Sequence, residues 1–198
     1  NLVFTFILLY NAKYKQTQQV QYMTGKGHFS TGLTFSLSAF LFSKDVGAIS
    51  WLSTIFCLFG VNAPDYLEIR IKGNTLIPHR TITHWIPIWI GLFFYSIFSL
   101  NTNYFEFLSD LNLYKLGNVE ASALLGFSMG GLLHLLFDLP NPMGIPFLTP
   151  WNRVSLNLWN SGKRENLIVT FVMLFSLVYF IFYYNLEHYF IEILQFFN

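Results

Sequence analysis

The apolar residues of this chain fall into five runs, roughly 29 to 43, 46 to 63, 84 to 100, 119 to 139 and 166 to 184, set apart by polar or Pro/Gly-rich connections. Nothing else in the sequence limits the fold as much. Each run is about 15 to 20 residues, near the roughly 20 that carry an α-helix across ~30 Å of hydrocarbon. The 198 residues would suffice for a soluble domain, but 54% hydrophobic and only 11% charged residues lie outside that class. The fold expected is all-α: a polytopic membrane bundle of about five apolar helices.

The first run, FSTGLTFSLSAFLFS, is rich in Ser and Thr and reads as a tilted span or a re-entrant arm, and the tight SKDVG turn sends the chain back into the second. No internal repeat or low-complexity tract is present, so residues 23–198 read as one integral-membrane domain. Residues 1–22, NLVFTFILLY followed by NAKYKQTQQVQY, hold too short an apolar stretch to span and no small-residue cleavage site. With Met23 opening a plausible start, they read as an N-terminal extension of little functional weight.

Net charge is +1 and the basic residues form no long tract, which sets nucleic acid aside as a partner. Cys57, the one cysteine, lies in an apolar run and reads as a small buried hydrophobe. With connections alternating across the membrane, Lys13, Lys15, Lys26, Arg70, Lys72, Arg80, Arg153, Lys163 and Arg164 share one face. Lys44 and Lys115 on the other complete the 11, so the positive-inside rule makes the nine-residue face cytoplasmic.

His28, Asp65, Glu68, His79, His84, His134 and Asp138 all fall on that basic face, although they are far apart along the chain. His134 and Asp138 are i and i+4 on one helix, pointing the same way just before Pro140 and Pro142 end it. Asp65 and Glu68 share a face if a helical turn follows Pro64. His79 is placed in the loop and His84 in the first turn of the third helix, so those two must converge by folding. Four imidazoles and three carboxylates are a ligand set for zinc, manganese or iron, with room for one to three ions. Such ions polarise a phosphoryl or carbonyl oxygen and acidify water. Arg80, beside His79, suits an anionic substrate or charge in a transition state.

Taken singly, a histidine near a helix end is more often an interfacial hydrogen-bonding residue than a ligand, and acids there cap helices or pair with Arg70, Lys72 and Arg80. For His134 with Asp138 the balance reverses, because ionisable groups facing into a membrane bundle ask for a partner. His188, in YYNLEHYFIEI on the opposite side, has no companion and reads as interfacial. Trp51, Trp85 and Trp89 read as belt and packing residues, and the small residues of GFSMGG as a surface for close helix approach.

The series His28, APD at 63–65 with Glu68, PHRTITHW at 78–85 and HLLFDLPNPMGIPFLTP at 134–150 resembles the YdjM-type family of bacterial inner-membrane, metal-dependent hydrolases. The likeness covers roughly Met23 to Trp159. It implies a helical inner-membrane protein with a metal-hydrolase site, sometimes linked to the zinc-dependent phospholipase C fold. Its expected ligand positions correspond to His28, Asp65, His79, His84, His134 and Asp138. Many relatives carry a second Asp two places after the first, where this chain has Leu67 with Glu68 following. Either Glu68 substitutes or one metal is absent.

The function these residues point to is hydrolysis of an ester or phosphoester of a lipid or other amphiphile at the cytoplasmic interface, with Arg80 and Glu68 as the catalytic candidates beside the ligands. A metal-ion carrier could use the same cluster, but would place ionisable groups near the midplane, where the second to fourth runs have almost none. Haem ligation by His84 and His134 is disfavoured by the surrounding acids.

Overall fold

The structure is a computed structural model that describes residues 23–43, 49–68, 70–71, 74–75, 80–100 and 114–183. Its helices are α1 (Gly25–Ser43), α2 (Trp51–Gly60), the single turn α3 (Ala63–Tyr66), α4 (Ile86–Leu100), α5 (Asn118–Asp138) and α6 (Ser161–Tyr183). Two short antiparallel strand pairs, β1 (Arg70–Ile71) with β2 (Asn74–Thr75) and β3 (Ile145–Pro146) with β4 (Arg153–Val154), decorate the connections. The described chain is thus mostly helical, as the apolar runs predict.

Helix limits follow local chemistry. Thr24 caps α1, its Oγ1 accepting from the Gly27 N–H at 3.3 Å. Pro64 stands in the first turn of α3, where its missing N–H costs no hydrogen bond. Pro140, just past the end of α5, cannot continue that helix.

At the centre lies α5, buried on most of its circumference, with α2, α4 and α1 packed around it. Gly126 and Gly130 make the contact with α2 so close that a Cβ on them would stand 2.0 Å from the Ser53 carbonyl oxygen and 2.3 Å from that of Cys57. Gly60 of α2 returns the contact against the Phe127 carbonyl, and Gly131 receives the ring of Trp89 from α4. This is the small-residue packing that lets membrane helices touch backbone to backbone. On α6 the inward stripe is Ile168, Val172 and Ser176, at helical spacing. Its other faces expose Leu167, Phe171, Leu174 and Phe175, among others.

The helix lengths support the bundle only in part, and two boundaries need correction. Among the described residues one helix, α5, with 21 residues and a mean hydropathy of 1.4, is long and apolar enough to cross a bilayer; α2 and α4 are apolar but have 10 and 15 residues. The second run does not continue as one helix to residue 63, because the chain turns at Val61 and Asn62 and restarts as α3. His84 is not in the first turn of the next helix; it ends a separate 3-10 turn, Ile82–His84, with Trp85 extended before α4 begins. Residues 1–22, residues 44–48, which hold all of the SKDVG turn but Ser43, and His79 and His188 lie outside the described residues.

Candidate metal centre

The last turn of α5 supplies His134 and Asp138, whose Nε2 and Oδ2 lie 3.5 Å apart, as the four-residue spacing dictates. The first turn of α1 brings His28, whose ring stacks on His134 with centroids 3.8 Å apart and whose Nε2 is 3.6 Å from Asp138 Oδ1. The 3-10 turn presents His84, with Nε2 3.2 Å from His134 Nε2. From α3, Asp65 Oδ1 reaches to 3.3 Å from His84 Nε2 and 3.8 Å from His134 Nε2. Two sets of three, His28–His134–Asp138 and Asp65–His84–His134, each place their ligand atoms within 4.8 Å of one another.

The outer hydrogen bonds orient these rings. The Val61 carbonyl lies 2.8 Å from His134 Nδ1. A carbonyl only accepts, so Nδ1 carries the proton and the neutral ring turns its Nε2 lone pair into the cup. On His84, Nδ1 faces Thr83 Oγ1 at 3.1 Å and the Glu68 carboxylate at 3.5 Å, which favours the same tautomer. Two lone pairs facing each other at 3.2 Å require a proton or a cation between them. His28 Nδ1 is also buried without a hydrogen-bond partner. These donors fit a metal ion.

Burial is uneven. His28, His84, His134 and Asp138 are sealed, whereas the Asp65 side chain is 37% exposed and forms the open edge of the cup. Burial pushes the Asp65 carboxyl up, but once the imidazoles are protonated the hydrogen bond from the His84 imidazolium and the charges of His134, His84 and His28 outweigh it and bring it down to about 2. Burial lowers His84, with the repulsion of His134 adding to it and Asp65 opposing.

Arg80 closes the far side. Its Nη2 is 2.6 Å from Asp138 Oδ2 and its Nη1 donates to the Gly144 carbonyl at 3.1 Å. Its backbone N–H donates to Glu68 Oε1 at 3.0 Å. Arg80 holds this place with φ at +55°, a left-handed conformation unusual for a side-chain-bearing residue and a mark of strain maintained by its surroundings.

The chain matches the YdjM inner membrane protein family over residues 23–194. It belongs to that family. No curated protein and no solved structure matches it.

Against the YdjM-family resemblance, the structure brings together His28, Asp65, Glu68, Arg80, His84, His134 and Asp138, while His79 lies outside the described residues. Within this group Glu68, which stands near the position of the relatives' second Asp, turns to His84 Nδ1 and the Arg80 N–H, on the outer side of the imidazole from the cup. The sequence reading missed Asn141, fully buried, whose Nδ2 donates to the Phe137 carbonyl at 3.1 Å and approaches Asp138 Oδ1 at 3.4 Å. The cue was an amide three residues after Asp138, in DLPNP. The carbonyls of Val61 and Gly144 left no cue, since every residue has one.

Proposed function

We propose that this YdjM-family chain is a multi-pass inner-membrane, metal-dependent hydrolase, cleaving an ester or phosphoester of a lipid or other amphiphile on the cytoplasmic side. The observation that carries the reading is the pair of imidazole nitrogens, His84 Nε2 and His134 Nε2, 3.2 Å apart and flanked by Asp65 and Asp138. Two nitrogens on one tetrahedral zinc, each ~2.0 Å from it, stand about 3.3 Å apart. Zinc is therefore the first choice, with manganese or iron as alternatives and a further site at His28.

When bound, the ion supplies Lewis acidity toward a carbonyl or phosphoryl oxygen and makes a nearby water more acidic. The chain's own residues do the rest. Asp65 is the carboxylate a substrate meets first, because it is the exposed member of the set. Arg80 fixes the Asp138 carboxylate, and Glu68 fixes both His84 and the Arg80 backbone, so these two act as positioning residues in the ground state. The cluster lies at the end of α5, level with headgroups under the positive-inside reading, which suits an amphiphile whose tails stay in the bilayer.

The test is metal content followed by turnover. Purified protein is expected to carry stoichiometric zinc, manganese or iron, and His134→Ala and Asp138→Ala to lose it while still inserting in membranes. Full occupancy in both variants would sink the ligand assignment. Release of headgroup or phosphate from a lipid panel supports the hydrolase, whereas metal flux into sealed vesicles without turnover supports a carrier.

A further inference from the structure

We propose that the β3–β4 hairpin, with the connection around it, is a docking element for the anionic headgroup layer of the bilayer. The proposal goes beyond the hydrolase reading and does not depend on it.

The hairpin displays apolar side chains outward from a stiff frame. Leu148 is 70% and Trp151 77% exposed, and Phe147, Val154, Leu156 and Leu158 are exposed along the same segment. The frame is pinned by Phe147 N–H to the Asn152 carbonyl at 3.0 Å, Leu156 N–H to the Leu139 carbonyl at 3.0 Å and Leu158 N–H to the Pro140 carbonyl at 2.9 Å. At its base Gly144 has φ at +57°, and a Cβ there would stand 2.1 Å from the Val154 carbonyl oxygen. Only glycine permits that closure. A patch this apolar, held open by the backbone, marks a contact surface.

Charge selects the occupant. The connection at 139–160 carries exposed Arg153 and no acidic residue, and exposed Lys163 and Arg164 follow in the first turn of α6, beside Glu165, whose carboxylate accepts from Thr24. Tryptophan with leucine and phenylalanine beside lysine and arginine is the combination that settles at a bilayer interface and is drawn to anionic lipid. The surface also adjoins the cup: Gly144 accepts from Arg80, and Trp85 Nε1 donates to the Phe147 carbonyl at 3.0 Å. A docked hairpin would hold the mouth at Asp65 close to the headgroups.

The experiment uses the full chain with Leu148→Cys, labelled with an environment-sensitive fluorophore. Cys57, the one native cysteine, is buried and stays. The protein is reconstituted in vesicles of phosphatidylcholine alone and of phosphatidylcholine mixed with phosphatidylglycerol. Quenching by lipids brominated near the headgroup is compared with quenching by aqueous acrylamide. Strong bromolipid quenching, several-fold weaker acrylamide quenching, and a deeper signal with phosphatidylglycerol that Arg153→Gln reduces are expected. Free access to acrylamide without bromolipid quenching overturns the proposal. Protection from both quenchers overturns it too, since protein would then cover the patch, and equal signals in the two lipid mixtures overturn its anionic part. Metal occupancy, measured on the same samples, reports separately on the cup.

Discussion

Arg80 Nη2 lies 2.6 Å from Asp138 Oδ2, and both side chains are sealed from solvent. Removing one partner of a buried pair leaves the other charge unpaired, which typically costs about 3 to 5 kcal/mol. In metal-free protein Arg80→Gly is therefore expected to lower stability by that order, measured by denaturant unfolding in detergent. Glycine is chosen because it accepts the φ of +55° and so isolates the charge from backbone strain. A loss below about 1 kcal/mol would put the pair in the class of exposed salt bridges.

Glu68 touches the outer nitrogen of His84, not the cup. Glu68→Gln keeps the shape but weakens the acceptor for that N–H, and outer-shell changes of this kind cost roughly 10- to 100-fold in metal affinity. The dissociation constant, measured by competition with a chelator, should rise while stoichiometry at saturating metal stays unchanged. An unaltered constant would leave Glu68 with a purely structural role.

The α2–α5 seam gives a paired prediction. Gly126→Leu must force a side chain into the Ser53 backbone, and overpacking of this kind typically costs about 1 to 3 kcal/mol or more. Gly91→Ala on α4 meets nothing within 4 Å and replaces a helical glycine, so it should be neutral or gain up to about 1 kcal/mol. Thermal unfolding of the two variants side by side checks the contrast.

Acid should destabilise the metal-free protein in two windows. The folded His84 is held below 6.5, so the unfolded chain takes up the proton first as pH falls through 6.5, and stability drops from there downward. Asp65 is brought from 3.8 down to about 2, so its contribution, full above 3.8, is lost as pH falls toward 2. Unfolding free energy measured against pH should decline across both windows. His84→Gln should reduce the upper slope without abolishing it, because burial lowers His28 as well, and a variant that keeps the full upper slope would remove His84 as a contributor.

Much of the site was legible because covalent spacing on a helix is legible: His134 and Asp138 had to share a face. Asp65 and Glu68 also converge, though on opposite nitrogens of His84 and not side by side, because α3 ends at Tyr66 before Glu68 is reached. His84 was placed one element too late, since a pattern of apolar residues cannot separate a 3-10 turn from the helix that follows it. The left-handed Arg80 and the carbonyls of Val61 and Gly144 are backbone facts, set by tertiary packing, and side-chain identity does not encode them. The second run was carried a few residues too far, because the turn at Val61 and Asn62 interrupts the apolar pattern by a single amide and Ala63 and Pro64 resume it.

Gly126, Gly130, His134 and Asp138 follow one another at intervals of four along α5, so the glycine seam leads straight into the cup. Val61, whose carbonyl orients His134, comes directly after Gly60, the glycine that α2 contributes to that seam. The reach of that carbonyl is therefore governed by how tightly two bare backbones can lean together, since a Cβ on Gly130 would stand 2.6 Å from the Val61 nitrogen. A methyl group added at either seam position of α5 would act like a shim under a lever, unlatching the imidazole while every donor atom stayed in the chain.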